Sequence, residues 1–297
     1  MSSEHGVPYA SATAFERALS DRIARSSATL PYGVPQLRRQ FAYGRMLARV
    51  FIHDPDRWVL KGATGLLARL PGQARHSMDI DFYFDGEVDA AIDSLRKAVE
   101  TDLGDFFTFD IEPGTALTGV TTGSVLRATA YLGDKVFESF RVDIVVLDTM
   151  TAEADLVSPI ELVEVPGLRG ADYRTHPIPD QIADKYAAML GTYAGRPSTR
   201  YRDLVDLVLI VTSQPVDAFA LRRAIESEQG RRGISSERRL VLPSADWREG
   251  YRQVAVETPN FRYLDADEAL DIVQLLIAPA IVGSVTGVWS PDTLEWV

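Results

Sequence analysis

RHSMDIDFYF, residues 75–84, is the stretch on which the fold turns. It is apolar and aromatic enough for a buried strand, yet it places Asp79 and Asp81 one residue apart. A strand alternates its side chains between two faces, so Asp79, Asp81 and Tyr83 share one face while Ile80, Phe82 and Phe84 share the other. Carboxylates held side by side repel and raise each other's pKa unless a cation or a donor neutralises them. The pattern asks for a partner, and a metal ion is the first candidate.

Composition narrows what that partner can be. A chain of 297 residues with 46% hydrophobic and 25% charged content is that of a folded globular protein. No run is apolar enough to span a bilayer, and the opening MSSEHGVPYASATAFERAL lacks the basic and apolar regions of a secretory signal, so a cytoplasmic location is expected. With no cysteine there is no disulfide, thiolate zinc site or cysteine nucleophile. The histidines, His5, His53, His76 and His176, are too scattered to predict a histidine metal cluster. The expected metal is therefore oxygen-ligated, Mg²⁺ or Mn²⁺, of the kind that arrives with substrate phosphates.

A net charge of −11 argues against a general nucleic-acid coat protein, because such binding neutralises phosphates with Lys and Arg. It leaves room for a local basic track. Arg222, Arg223, Arg231, Arg232, Arg238 and Arg239 cluster among Glu226, Glu228 and Glu237, with Arg196, Arg200 and Arg202 upstream. For any one of them a solvated charged surface is the plainer reading.

Around the aspartate strand the periodicities alternate. Two amphipathic helices are expected at 11–26 and 35–52, then a strand WVLK at 58–61, a turn and helix GATGLLARL at 62–70, and a Pro71-Gly72 break. After the aspartate strand come a helix at 88–103, a strand at 106–113, and two strands at 125–132 and 135–147 joined by the hairpin signal Gly133-Asp134. In the last strand Arg141, Asp143 and Val145 alternate with Val142, Ile144 and Val146. From about residue 151 the pattern is helical, at 183–194, 202–213, 216–227, around 243–256 and 266–278. The expected fold class is α+β, a mixed sheet with helices followed by a helical C-terminal domain, cut near residues 52 and 150.

Asp79, Asp81 and Asp143 thus fall on two strands of one sheet. Three carboxylates facing one cleft can hold two divalent ions, which clamp the attacking and leaving oxygens of an in-line phosphoryl displacement. Upstream, Gly62 and Gly65 of LKGATG leave backbone amides able to approach a phosphate at a helix N-terminus. Competing structural readings stand beside these: Asp143 pairing with Arg141 or Arg127, Lys185 snorkelling from an ordinary helix, and Asp203 capping or decorating its helix.

These residues resemble the DNA polymerase β-like nucleotidyltransferases, whose pattern is matched by Leu60, Gly62 and Asp79-Ile80-Asp81. Within that superfamily, Lys61-Gly62-Ala63-Thr64 followed by Arg75-His76-Ser77-Met78-Asp79-Ile80-Asp81 looks like the AbiEii/AbiGii toxin branch, including MenT-type toxins, which usually reads KGGT and R-x-S-x-D-[IL]-D. Asp184-Lys185-Tyr186-Ala187-Ala188 and Arg200-Tyr201-Arg202-Asp203-Leu204-Val205-Asp206-Leu207 resemble two later motifs, so the likeness spans about 58–210. Ala63 departs from the usual second Gly or Ser, leaving Thr64 as the nearby hydroxyl.

The resemblance implies an N-terminal helical segment (1–52), a nucleotidyltransferase core (53–150) and a helical C-terminal domain (151–297). It implies an Mg²⁺- or Mn²⁺-dependent toxin of a toxin–antitoxin system, transferring a nucleoside monophosphate, from a pyrimidine NTP, to the 3′ end of tRNA and so blocking aminoacylation and translation. Asp79, Asp81 and Asp143 would bind the metal, and Asp143 would help deprotonate the attacking hydroxyl. Lys185 would contact the triphosphate and Asp206 would pair with or orient it, while Lys61, Gly62, Thr64, Arg75 and Ser77 would line the nucleotide site. Arg200, Arg202, Arg222, Arg223, Arg231 and Arg232 would face tRNA, and the protein partner would be a cognate antitoxin that binds or modifies the toxin. Ser77 is also a candidate phosphosite, because a phosphate there would set about two negative charges beside the metal carboxylates. The alternatives are transfer to a small molecule such as an antibiotic, transfer to a protein hydroxyl, and a catalytically inactive interaction module of the same fold.

Overall fold

The computed structural model describes residues 6–117, 122–146, 150–193, 195–234 and 240–297. It divides into two compact units, the first taking in Met1–Gly72, His76–Asp148 and Asp155–Thr175, the second Gln73–Arg75, Thr149–Ala154 and His176–Val297. Among the described residues no helix is long and apolar enough to cross a membrane.

The first unit runs α1 (Ala12–Thr29), α2 (Val34–His53), β1 (Trp58–Lys61), α3 (Gly62–Arg69), β2 (Asp79–Phe84), α4 (Val88–Val99), β3 (Phe107–Ile111), β4 (Thr115–Ala116), β5 (Gly123–Leu132), β6 (Lys135–Val146), β7 (Asp155–Val157) and β8 (Tyr173–Thr175). Ser11 starts α1 by accepting the Ala14 N–H on its hydroxyl at 3.2 Å, satisfying one of the orphan donors of the first turn. The strands form one mixed sheet in the order β3-β5-β6-β2-β1-β8-β7, with β4 on β5. β2 is parallel to β6 and β1 is parallel to β8; the other pairs are antiparallel. Gly133, at φ +59, turns the predicted β5–β6 hairpin with Asp134, a conformation glycine adopts at no steric cost.

β2 alternates as its sequence requires. Ile80, Phe82 and Phe84 are fully buried, and Asp79, Asp81 and Tyr83 are half-buried on the opposite face. The buried set meets Trp58 of β1, with ring centroids 5.0 Å from Phe82 and 4.7 Å from Phe84, and Phe51 of α2 packs at 6.4 Å from Phe82. Burial of each such side chain is worth about 1.5–3 kcal/mol. A slip of one residue would bury both carboxylates and expose the apolar set, so this face fixes the register. α2 is tied to the loop before β3 by Arg45 and Arg49, which both donate to the buried Asp105 at 2.7 Å; Arg49 also donates to the Phe107 carbonyl at 2.8 Å. Burial opposes the charge on Asp105, but the two guanidiniums outweigh it and hold its carboxyl below the usual range.

The second unit contains α5 (Ile178–Leu190), β9 (Thr192–Tyr193), β10 (Arg196–Pro197), α6 (Tyr201–Val211), β11 (Val216–Asp217), α7 (Ala218–Arg232), α8 (Trp247–Glu257), α9 (Ala266–Val282), β12 (Val288–Ser290) and β13 (Glu295–Trp296). α6 is its centre. Every residue from Asp203 to Val211 is buried, and α5, α8 and α9 pack around it. Asp217 and Asp265 cap α7 and α9, and Gly233 and Gly283 end them in the left-handed conformation. Trp289 of β12 closes the unit with an indole N–H donated to the Val211 carbonyl at 2.8 Å. The expected helices are present; the strands β4 and β7 to β13 were not anticipated, being two or three residues long and too short to show a period, and β7 and β8 extend the first sheet past residue 151, where only helices were expected.

Candidate active site

The decisive geometry is lateral. In the parallel pairing of β2 with β6, Asp81 stands directly beside Asp143 and Asp79 beside Arg141. In the antiparallel pairing of β1 with β2, Lys61 stands beside Asp81. One row across the sheet therefore reads Lys61, Asp81, Asp143, and the next reads Asp79, Arg141. The apolar alternation of both strands turns these residues away from the core.

Gly62, the first residue of α3, brings the chain under that row. Its φ is +65, and a Cβ there would lie 2.0 Å from Asp81 Oδ2. The position demands glycine twice over, for its backbone conformation and for the space that Asp81 occupies. Gly65 is required less sharply, a Cβ there falling 3.2 Å from the Leu60 carbonyl oxygen. Thr64 is fully buried and donates its hydroxyl to the Asp79 carbonyl at 3.0 Å, so it braces β2 instead of presenting the hydroxyl expected beside a phosphate. Ser77 donates to Asp79 Oδ1 at 2.7 Å and is itself buried, only 2% exposed. Lys61 lays its ammonium over the Tyr83 ring, 4.1 Å from the centroid.

Asp143 is clamped by its own strand neighbour. Arg141 donates from Nε at 2.5 Å and from a terminal nitrogen at 2.6 Å, a bidentate fork. These hydrogen bonds, helped by the charges of Asp143, Asp79 and Asp81, hold the Arg141 guanidinium above its usual basicity. Of the two partners open to Asp143 in the sequence, Arg141 is the one chosen. Among the described residues no group of three or more His, Asp or Glu side chains is arranged to hold a metal ion as it stands. The donors are carboxylate oxygens, the type that suits a hard divalent ion, and their backbone register sets Asp81 beside Asp143; as the structure stands, Asp143 is forked by Arg141 and Asp79 accepts from Ser77.

One neighbour was not anticipated. Tyr43 of α2 is fully buried, with its ring 4.7 Å from Phe140 and 6.4 Å from His76, and its hydroxyl has no hydrogen-bond partner among the described residues. Burial, and after it the charges of Asp79, Glu138 and Asp81, push its phenol well above the ordinary value against the pull of Arg39. On an amphipathic helix nothing separates such a tyrosine from a core residue.

The second unit assembles the other predicted residues into a closed network. Arg75 donates to both oxygens of Asp206, each at 2.9 Å. Lys185 donates to Asp206 at 2.7 Å and to Asp203 at 3.1 Å, and Arg200 also donates to Asp203. Asp206 is wholly buried and Lys185 is 6% exposed. Burial opposes the charge on each, but Arg75 and Lys185 hold the Asp206 carboxyl low, and Asp206 and Asp203 hold the Lys185 amine high. The expected pairing of Asp206 with Lys185 is present in this geometry. Asp203 corrects the sequence reading: it does not merely cap or decorate α6 but is buried against Lys185, because Asp203 and Asp206 lie three residues apart on one helix face.

The arginines of the basic track are mostly spent within their own unit. Arg222 pairs with Glu226 at 2.9 Å, Arg231 with Glu228 at 2.5 Å, and Arg232 with Glu228 and Asp184, both at 2.5 Å. Arg223 donates to the Thr151 carbonyl at 2.8 Å, and Arg202 is exposed. Arg238 and Arg239 lie outside the described residues.

A mixed sheet that sets a glycine turn beneath one of three strand aspartates offers oxygen donors of the type used by metal-assisted phosphoryl transfer. The nucleotidyl transferase AbiEii toxin family, of type IV toxin–antitoxin systems, matches residues 45–272, and the chain belongs to that family. It is a nucleotidyltransferase, and the family's systems pair such a toxin with an antitoxin. Among solved structures it is similar to JHP933 from Helicobacter pylori, with 16% identity over 84% of this chain and 95% of that one and a TM-score of 0.43. A candidate nucleotidyltransferase from H. pylori matches at 17% identity over 85% and 99% of the two chains, with a TM-score of 0.46. No curated protein matches the chain.

Proposed function

We propose that this toxin transfers a nucleoside monophosphate, from a pyrimidine NTP, to the 3′ end of tRNA with the help of Mg²⁺ or Mn²⁺, so blocking aminoacylation and translation. The observation that carries the transfer chemistry is the register that sets Asp81 between Lys61 and Asp143, on the face shared with Asp79 and above Gly62. Asp79, Asp81 and Asp143 are the residues that would hold the metal, which when bound neutralises phosphate charge and polarises the reacting oxygens.

In this reading the acceptor hydroxyl attacks the α-phosphorus, the bond to the bridging oxygen of the pyrophosphate breaks, and the hydroxyl proton passes to a carboxylate, for which Asp143 is the proposed base. Gly62 keeps the backbone low enough for phosphate to approach. Lys61 and Arg75 would supply cationic contacts to the triphosphate, and Lys185 would do so with the donor left over from Asp203 and Asp206. Ser77 is the proposed control point, since a phosphate on it would replace the hydrogen bond to Asp79 with like-charge repulsion. The antitoxin would act either by binding or through such a modification, and both events would take place in the cytoplasm.

The test is incubation of the protein with total tRNA, Mg²⁺ and each labelled NTP in turn, beside Asp81→Asn. Label should enter tRNA from CTP or UTP and be lost in the variant. A protein that binds NTP and metal but labels no tRNA would move the acceptor to a small molecule or a protein hydroxyl.

A further inference from the structure

We infer that Arg127 and Arg141, directly opposite each other on β5 and β6, form a phosphate-binding pair that seats the phosphodiester backbone of an RNA acceptor beside the Asp79, Asp81 and Asp143 carboxylates. This rests on the nucleic-acid acceptor proposed above and assigns it a place on the first unit.

Residues directly opposite on antiparallel strands point to the same side of the sheet with Cβ atoms about 4.5–5.5 Å apart, and like charges placed so are destabilising. A sheet that keeps two guanidiniums in that position has a use for an anion between them. Arg141 in turn stands beside Asp79, so the row across three strands reads Arg127, Arg141, Asp79, with Val125, Asp143, Asp81 and Lys61 in the row alongside. The arginine pair therefore leads straight to the carboxylates, one step along the sheet.

The two arginines are not equally committed. Arg141 is forked onto Asp143, whereas Arg127 is exposed and, among the described residues, has no carboxylate partner. β5 itself carries no acidic residue from Gly123 to Leu132, so nothing on that strand competes for the charge. Arg222, Arg231 and Arg232, the more obvious basic track in the sequence, are held by Glu226, Glu228 and Asp184 and have less to offer a phosphate. With a cation held by the carboxylates, the Arg141 fork would be free to join Arg127 on one phosphate, a geometry that suits guanidinium better than ammonium. A chain of net charge −11 repels a polyanion overall, which makes a pair of this kind orienting as well as attractive.

The experiment measures binding of labelled total tRNA across a salt series for wild type, Arg127→Gln and Arg127→Lys, with Mn²⁺·CTP binding measured on the same samples. Arg127→Gln should bind tRNA about fivefold to tenfold more weakly, with a salt slope smaller by about one, and Arg127→Lys should recover part of the loss. Mn²⁺·CTP binding should be the same in all three. An Arg127→Gln protein that binds tRNA with wild-type affinity and slope overturns the assignment, as does one that loses Mn²⁺·CTP instead of tRNA. Wild type that binds Mn²⁺·CTP but no tRNA at low salt would remove the tRNA acceptor itself and the Arg127 assignment with it.

Discussion

Each unit of this protein builds a cluster from the same residue types, and the two clusters differ in what water can reach. In the second unit Arg75, Lys185 and Arg200 meet Asp203 and Asp206, and the central members are buried. Each carboxylate there is met by two cations. In the first unit Asp79, Asp81 and Asp143 stand half-buried in adjoining rows with Arg141 and Lys61, so acid outnumbers base and the ion pair that forms is at the solvent side. A closed network whose buried carboxylates are all met by cations favours a fixed structure, and an open cluster with more acids than bases leaves room for a ligand. In the proposed reading the metal belongs to the open cluster, whose carboxylates could exchange one cation for another.

That contrast predicts different consequences for similar substitutions. The largest effect on folding should come from Lys185→Met, which leaves Asp203 and Asp206 buried with part of their charge unmet. The expected loss is about 3 kcal/mol, since breaking a buried pair costs roughly 3–5 kcal/mol and Arg75 still holds Asp206. Urea unfolding measures it; an unchanged midpoint would mean that the network is no more structural than the open cluster.

The same network should make a contribution with defined pH limits. Asp206 has its carboxyl lowered, so its stabilisation is present above the unfolded value of about 3.9 and is lost as pH falls through the lower folded pKa. Lys185 has its amine raised, so its contribution is complete below about 10.4 and is lost only as pH rises through the higher folded value. Between these limits the network is constant. The network's contribution, read as the stability difference between wild type and Lys185→Met across pH, should fall only at the acid extreme and at the alkaline one, and a change near neutrality would contradict this.

A smaller effect on stability, with a larger one on activity, is expected from Gly62→Ala. A left-handed backbone costs a non-glycine residue roughly 1–2 kcal/mol, and the new Cβ would meet Asp81 Oδ2 and push the carboxylate aside. Denaturation should show the modest loss while nucleotide transfer falls far more. Equal losses in both would mean that Gly62 serves the fold alone.

How much of this was legible can be argued residue by residue. The period of two in DIDFYF put Asp79 and Asp81 on one face, and the alternation in RVDIVV put Asp143 on the same face of its own strand. The neighbour relation of Asp81 and Asp143 was not legible, because it depends on a parallel pairing between residues 62 positions apart in the chain (143 − 81). Nor was the rotamer of Asp143, since Arg141 and Arg127 were equally placed until the register existed. Asp203 left a signal that was passed over: three residues from Asp206 on an otherwise apolar helix, it was bound to be buried beside it. Tyr43 left none.

The claim that Asp79, Asp81 and Asp143 form the ligand site of the open cluster is tested most directly by Mn²⁺ titration in the presence of CTP, followed by the electron paramagnetic resonance signal of free Mn²⁺, for wild type and Asp81→Asn. Wild type should deplete the free-ion signal at stoichiometric metal, and Asp81→Asn should need at least about tenfold more, the loss expected when one charged ligand of a metal is removed. Indistinguishable titrations would contradict the account and return these aspartates to the role of a charged strand face.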